Sequence, residues 1–191
     1  MVGLLGGSFD PVHFGHLLTA QALVERLGLA ELRFVPAREQ PFKVGRHGAS
    51  AAHRAEMVAR AIRGESRFGL EGAELERTGP SYTVDTLREL RTREPGVEFA
   101  LLVGADAAAE LPTWREAEAI PGLATVIAFA RQGTPAAGDG LVARTIPVPT
   151  IDISATEIRR RVAAGLSIRY WVPEAVAEYI AAHGLYHSGE G

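Results

Sequence analysis

The stretch Val2-Gly3-Leu4-Leu5-Gly6-Gly7-Ser8-Phe9-Asp10-Pro11-Val12-His13-Phe14-Gly15-His16 decides how this chain folds. Residues 2–7 form a short apolar run ending in two glycines, the pattern of a buried strand. From Phe14 onward Leu17, Leu18, Leu23, Val24 and Leu27 recur at helical spacing, and Gly28 stops the run. A strand thus passes through one loop directly into a helix. Gly6 and Gly7 let backbone approach a ligand closely, and Asp10-Pro11 turns the chain. His13 and His16 lie three apart at the helix start, so they share a face. The first helical turn adds free N–H groups and the positive end of the dipole. Together these make a phosphate site with two imidazole donors. A tight turn with incidental histidines and a zinc pair lacking an evident third ligand are the other readings of the same residues.

Working outward, the alternation continues. Residues 32–37 read as a second strand ended by a proline, and 38–49 as a loop. Ser50 caps a helix running to Ile62. Residues 67–77 are extended and ambiguous, and Thr83–Glu94 is a helix closed by Pro95-Gly96. Residues 97–104 are the strongest buried strand. Short helices follow at 106–111 and 113–119, then strands at 124–130 and 141–148 with a loop between. Helices at Ser154–Ala164 and Pro173–His183 end the pattern. Strands alternating with helices predict an α/β fold: a doubly wound, mostly parallel, Rossmann-like sheet with helices on both faces. Ligands of such sheets sit at the carboxyl ends of the strands.

Composition narrows the chemistry. The 191 residues contain no cysteine, which excludes disulfides, Cys-ligated metals and Cys nucleophiles. A net charge of −3 argues against general nucleic-acid binding. The N-terminus has no basic n-region, and no apolar run reaches the 18 or so residues of a membrane span. A cytoplasmic protein with neither membrane nor nucleic-acid partner is expected. Of the 20 basic residues only Lys43 is lysine. It stands in the 38–49 loop, where a compact, mobile ammonium differs in use from a planar guanidinium.

Ile153-Ser154-Ala155-Thr156-Glu157-Ile158-Arg159 is a second constellation. Ser154 and Glu157 fit a capping box, each satisfying a backbone donor of the other. A cap leaves other first-turn N–H groups for an anion, and Arg159, one turn in, can reach a phosphate at the helix mouth. Arg160 and Arg161 point elsewhere, toward solvent. Thr113 and Glu116 fit another capping box, which places Trp114 at a helix start. An indole there is either core or a flat partner for an aromatic ring. Asp106 either caps its helix or accepts from a ligand hydroxyl. Tyr170 and Trp171 are expected to pack the last helix.

Gly6-Gly7-Ser8-Phe9-Asp10-Pro11-Val12-His13-Phe14-Gly15-His16 resembles the signature of nucleotidyltransferases that share a His-x-Gly-His loop with class I aminoacyl-tRNA synthetases. Residues 153–159 resemble the adenylyltransferases' second signature. Further segments are similar to the bacterial nicotinate (nicotinamide) mononucleotide adenylyltransferases: Gly79–Leu87, Gly104-Ala105-Asp106, Leu111–Arg115, and Val172-Pro173-Glu174 through Tyr186. Where that family commonly has Pro-His-Lys, this chain reads Pro41-Phe42-Lys43.

The resemblance implies transfer of the adenylyl group of ATP, with Mg²⁺, to nicotinate mononucleotide. A sister enzyme for nicotinamide mononucleotide or another phosphate substrate is the alternative, as is a nucleotide-binding sensor without turnover. It implies catalytic roles for His13, His16, Lys43 and Arg159. ATP would be held by Gly6, Gly7, Ser8, Phe9, His16, Gly104, Asp106, Ile153, Ser154, Thr156 and Arg159. The pyridine nucleotide would be held by Ser8, Lys43, Tyr82, Thr83, Trp114 and Arg115. No protein ligand to the metal is implied. The chain is expected to be one domain, 1–191, whose helical part 150–187 contributes to the ATP site. Backbone donors around Tyr82-Thr83 and Trp114-Arg115, with Glu116 tied up in its cap, predict preference for the acid over the amide substrate.

Overall fold

Strand pairing in the computed structural model runs β3-β2-β1-β4-β5-β6, with every neighbouring pair parallel. The structure describes residues 1–38, 48–77, 79–131 and 140–187. The strands are β1 (Val2–Gly7), β2 (Glu31–Pro36), β3 (Phe68–Leu70), β4 (Phe99–Gly104), β5 (Thr125–Arg131) and β6 (Arg144–Val148). The helices are α1 (Phe14–Leu27), α2 (Ala51–Ala61), α3 (Ala73–Glu76), α4 (Thr83–Arg93), α5 (Ala105–Glu110), α6 (Ala155–Ala163) and α7 (Glu174–Ala182). The doubly wound expectation holds, and the ambiguous 67–77 segment resolves into β3 and α3.

Successive residues of each strand face opposite sides of the sheet. Leu5, Leu32, Phe34, Leu102 and Ile127 join a core with α1, α2, α6 and α7. Val2, Leu4, Val35, Leu101, Val103 and Val126 join a second core with α4, α5 and the 117–122 turn. Both faces are therefore covered, which is why the strands read as continuous apolar runs.

Two helix starts differ from the sequence expectation. Residues 113–119 are not one helix: Leu111–Thr113 and Ala117–Gly122 are separate 3₁₀ turns. Trp114 ends the first, its N–H donating to Leu111 O at 3.0 Å. Glu116 has φ 49°, in the left-handed region, and its carboxylate takes both Arg88 amino groups at 2.5 and 3.2 Å. A two-donor guanidinium outcompetes the single N–H of a capping box. At α6, Ser154 Oγ does accept from the Glu157 N–H at 3.2 Å. Glu157 does not reciprocate, because its carboxylate holds Arg160 through two contacts of 2.7 Å.

At the chain's end Trp171 packs against the first core, with Arg161 over its ring at 5.0 Å. Tyr170 is instead 80% exposed, the connector before α7 turning it outward. None of the described helices is long and apolar enough to cross a membrane.

Candidate active site

Strand order reverses at β1, which has β2 on one side and β4 on the other. The loops leaving β1 and β4 therefore part at their carboxyl ends and open a crevice between them. Gly6, Gly7 and Gly104 end these two strands. A Cβ at Gly6 would meet nothing within 4 Å, so the crevice floor there is bare backbone. Gly7 answers a different need, since a Cβ would run into the Phe9 ring at 2.9 Å. Phe9 is 1% exposed, with φ 48°, and its ring packs on Phe34 and His16. Only the backbone of Phe9 can therefore face a ligand.

His13 caps α1, and His16 is the third residue of the helix. Their rings stack at 3.8 Å. Gly15 makes this possible: a Cβ there would press on the His13 ring at 3.0 Å. The His13 N–H donates to Nδ1 of His16 at 3.3 Å. His16 therefore carries its proton on Nε2, the only ring nitrogen left to donate outward. Burial lowers the His13 pKa to about 4; burial, then the neighbouring His13, lowers that of His16 to about 3. Both rings are neutral donors at pH 7. The two residues form a reciprocal capping box at the start of α1.

Asp10, 2% exposed, ties this loop to three distant parts of the chain. Its carboxylate accepts from the N–H groups of Gly48 (2.7 Å) and Ala49 (3.1 Å) and from the Tyr186 hydroxyl (2.7 Å). Its carbonyl accepts from Arg159 at 2.7 Å, and the second Arg159 amino group reaches Thr156 Oγ1 at 3.3 Å. The second signature is thereby held against the first, with the Ile153 carbonyl facing Gly15.

Beneath them lies Arg54, with 0% exposure. It donates to the carbonyls of Ser8 (2.6 Å), Ala37 (2.6 Å), Arg38 (2.9 Å) and Ala49 (3.3 Å). Such burial of a charge is tolerable because four of its five N–H groups meet carbonyl oxygens. Arg54 and Asp10 grip both flanks of the 39–47 segment. Lys43 belongs to that segment and lies outside the described residues.

On the other side of the crevice, Tyr82 caps α4, Thr83 opens it, and Tyr82 and Trp114 pack half-buried on the second core. Arg115 lies over the Tyr82 ring at 4.8 Å and reaches Asp85 at 3.4 Å. Ser81 Oγ accepts from the Arg38 N–H at 3.1 Å. Glu74 is buried behind this segment, its carboxyl raised by burial and accepting from Thr86 Oγ1 at 3.0 Å. Asp106 is the second residue of α5 and exposed; Gly104, not Asp106, caps that helix.

Sequence reasoning missed the Asp10 side chain, Arg54 and Tyr186. Arg54 had a signal: it shares the apolar stripe of α2 with Met57 and Val58. Asp10 and Tyr186 had none, since their partners come from remote sequence.

A crevice at the switch point of a parallel sheet, with two neutral histidine donors at a helix start, is the arrangement of a doubly wound α/β protein with its ligand site at the carboxyl ends of the strands. Residues 4–161 match the family described as cytidylyltransferase-like. A probable nicotinate-nucleotide adenylyltransferase of Thermus thermophilus is 49% identical over 97% of this chain and 98% of its own length. One from Thermomicrobium roseum is 42% identical over 99% of this chain and 92% of its own. The chain belongs to the nicotinate-nucleotide adenylyltransferases within the cytidylyltransferase-like family. The fold is also that of a Plasmodium falciparum nicotinic acid mononucleotide adenylyltransferase complexed with NaAD. That likeness has a TM-score of 0.75 at 21% identity, covering 97% of this chain and 96% of the other.

Proposed function

We propose that this chain transfers the adenylyl group of ATP to the phosphate of nicotinate mononucleotide. A phosphate oxygen of the mononucleotide attacks the α-phosphorus of ATP. The bond from that phosphorus to the bridging oxygen breaks, and pyrophosphate leaves with nicotinate adenine dinucleotide as the other product, a step of NAD biosynthesis. The nucleophile is already anionic, so no general base is needed. Catalysis comes from alignment and from neutralising charge at the α-phosphate and leaving group.

The observation that carries this reading is the His13–His16 pair. The contact between them at 3.3 Å leaves Nε2–H of His16 as a fixed outward donor beside the first turn of α1. Arg159 and Lys43 supply the remaining cationic donors. Gly6, Gly7, Ser8, Gly104, Asp106, Ile153, Ser154 and Thr156 line the ATP side, so residues 150–187 contribute to that site. Tyr82, Thr83, Trp114 and Arg115 receive the pyridine nucleotide.

Mg²⁺ bound with ATP would lower the charge on its phosphates. Among the described residues no group of three or more His, Asp or Glu could hold a metal, and Asp10 is engaged by two N–H groups and a phenol. This donor set suits an ion carried on substrate oxygens. The setting that goes with this reaction is the cytoplasm, with its two nucleotide substrates.

Pyrophosphate release from ATP with nicotinate mononucleotide, run beside its amide and beside either nucleotide alone, tests the proposal. Release that requires both ATP and the mononucleotide is expected. Release from ATP alone, or none at all, would overturn it.

A further inference from the structure

Gly48 is wedged between two side chains from the far end of the sequence. A Cβ on it would meet Arg159 Cδ at 2.9 Å and the Tyr186 ring at 2.9 Å. Both of those residues also bond to Asp10, Tyr186 through its hydroxyl at 2.7 Å and Arg159 through the carbonyl at 2.7 Å. Arg159 stands 3.9 Å from the Asp10 carboxylate, too far for that contact alone to orient it. The Asp10 carboxylate is instead committed to Gly48, Ala49 and Tyr186. Tyr186 has φ 65°, an unfavourable backbone state for a bulky residue, so the fold holds it there against local preference. Burial and the Asp10 charge push the Tyr186 pKa upward, so the phenol stays a donor.

We propose that Tyr186 is a positioning residue for adenylyl transfer: through Asp10 it sets the angle of Arg159 and the height of the β1–α1 loop over the ATP phosphates. The Tyr186 side chain acts through Asp10 and Gly48, which it contacts. Its hydroxyl neutralises part of the Asp10 charge, which would otherwise draw the Arg159 guanidinium off the phosphates and onto the carboxylate. The aromatic ring keeps Gly48 seated, so residues 48 and 49 enter α2 from a fixed place. This role rests on the adenylyl-transfer reading above.

The test is Tyr186→Phe, which keeps the ring and removes only the hydroxyl. The expected result is a kcat about 10-fold lower. The KM for nicotinate mononucleotide should stay within about two-fold, and the melting temperature within a few degrees of wild type. Gly48→Ala should reproduce the kcat loss by displacing both side chains. In an Arg159→Lys background, Tyr186→Phe should cost less than about three-fold, because the group it positions is already gone. Three outcomes would overturn the proposal: an unchanged kcat in Tyr186→Phe, a loss that multiplies fully with Arg159→Lys, or a loss tracking only a lowered melting temperature. An inactive wild type would overturn the adenylyl-transfer reading with it, whereas an active wild type and an indifferent Tyr186→Phe overturn this proposal alone.

Discussion

The backbone N–H of His13 donates to Nδ1 of His16 at 3.3 Å, while the two rings stack at 3.8 Å. One contact thus caps a helix and selects a tautomer. In His16→Asn the amide oxygen can still accept from His13, but no donor reaches the crevice. Turnover should fall about 10²–10³-fold, the loss expected for one preorganised donor to developing charge. Pyrophosphate release and a thermal melt check both halves; near-normal turnover would remove His16 from the mechanism.

The same pair makes stability depend on pH. An unfolded histidine titrates near 6.5, whereas burial holds His13 at about 4 and His16 at about 3. As pH drops below 6.5 the unfolded chain takes up protons that the folded rings refuse. Stability is then complete above 6.5 and declines as pH falls, through 4 for His13 and on toward 3 for His16. For His13 alone the loss at pH 5 is about 2 kcal/mol, from roughly 1.5 pH units at 1.36 kcal/mol each. Denaturant unfolding at pH 7 and pH 5 should show the summed loss of both rings in wild type, about 4 kcal/mol, and about half of it in His13→Asn.

Trp114 packs half-buried with Tyr82 on the second core. Trp114→Phe keeps much of that packing and reduces the flat surface offered to a pyridine ring. The KM for the pyridine nucleotide should rise several-fold, since stacking contributes about 0.5–1.5 kcal/mol, while that for ATP stays put. Equal effects on both substrates would make Trp114 core only.

Three acidic side chains near the 81–83 and 113–115 segments hold partners of their own. Glu116 holds Arg88, Asp85 meets Arg115, and Glu74 accepts from Thr86. With those carboxylates engaged, the N–H groups left in these segments suit a carboxylate better than an NH₂. We expect a specificity constant for nicotinate mononucleotide at least roughly 10²-fold above that for its amide, below the 10⁴ of a fully dry site. Comparable rates at saturating ATP would contradict a donor-only pocket.

Arg54 donates to four carbonyls from three segments while wholly enclosed. Arg54→Met leaves those oxygens buried and unpaired. We expect a loss of at least about 3 kcal/mol of stability by urea unfolding, since each orphaned carbonyl keeps its full desolvation cost.

Much of the architecture was legible without coordinates. Apolar runs located every strand but β3, helical spacing located α1, α2, α4, α6 and α7, and alternation forced a parallel sheet. Those are properties of residues a few positions apart. The first loop was legible for the same reason: glycines, a turn and two histidines at i and i+3 report a local geometry. The Trp114 region misled because two capping-box residues match a pattern that a stronger competitor dissolves. Arg88, 28 residues from Glu116, claims the carboxylate the cap would need.

The sequence by itself therefore determined the sheet, the order of its helices, the histidine pair at the start of α1 and the kinship with adenylyltransferases. Only the tertiary structure decided what Asp10 is for. Its partners stand 38, 149 and 176 residues away at Gly48, Arg159 and Tyr186. No periodicity links such positions. They meet because β1 lies at the centre of the sheet, where the chain's opening loop and its last helices converge on one end. A buried carboxylate collects whatever donors that convergence brings within reach, and only packing determines which ones arrive.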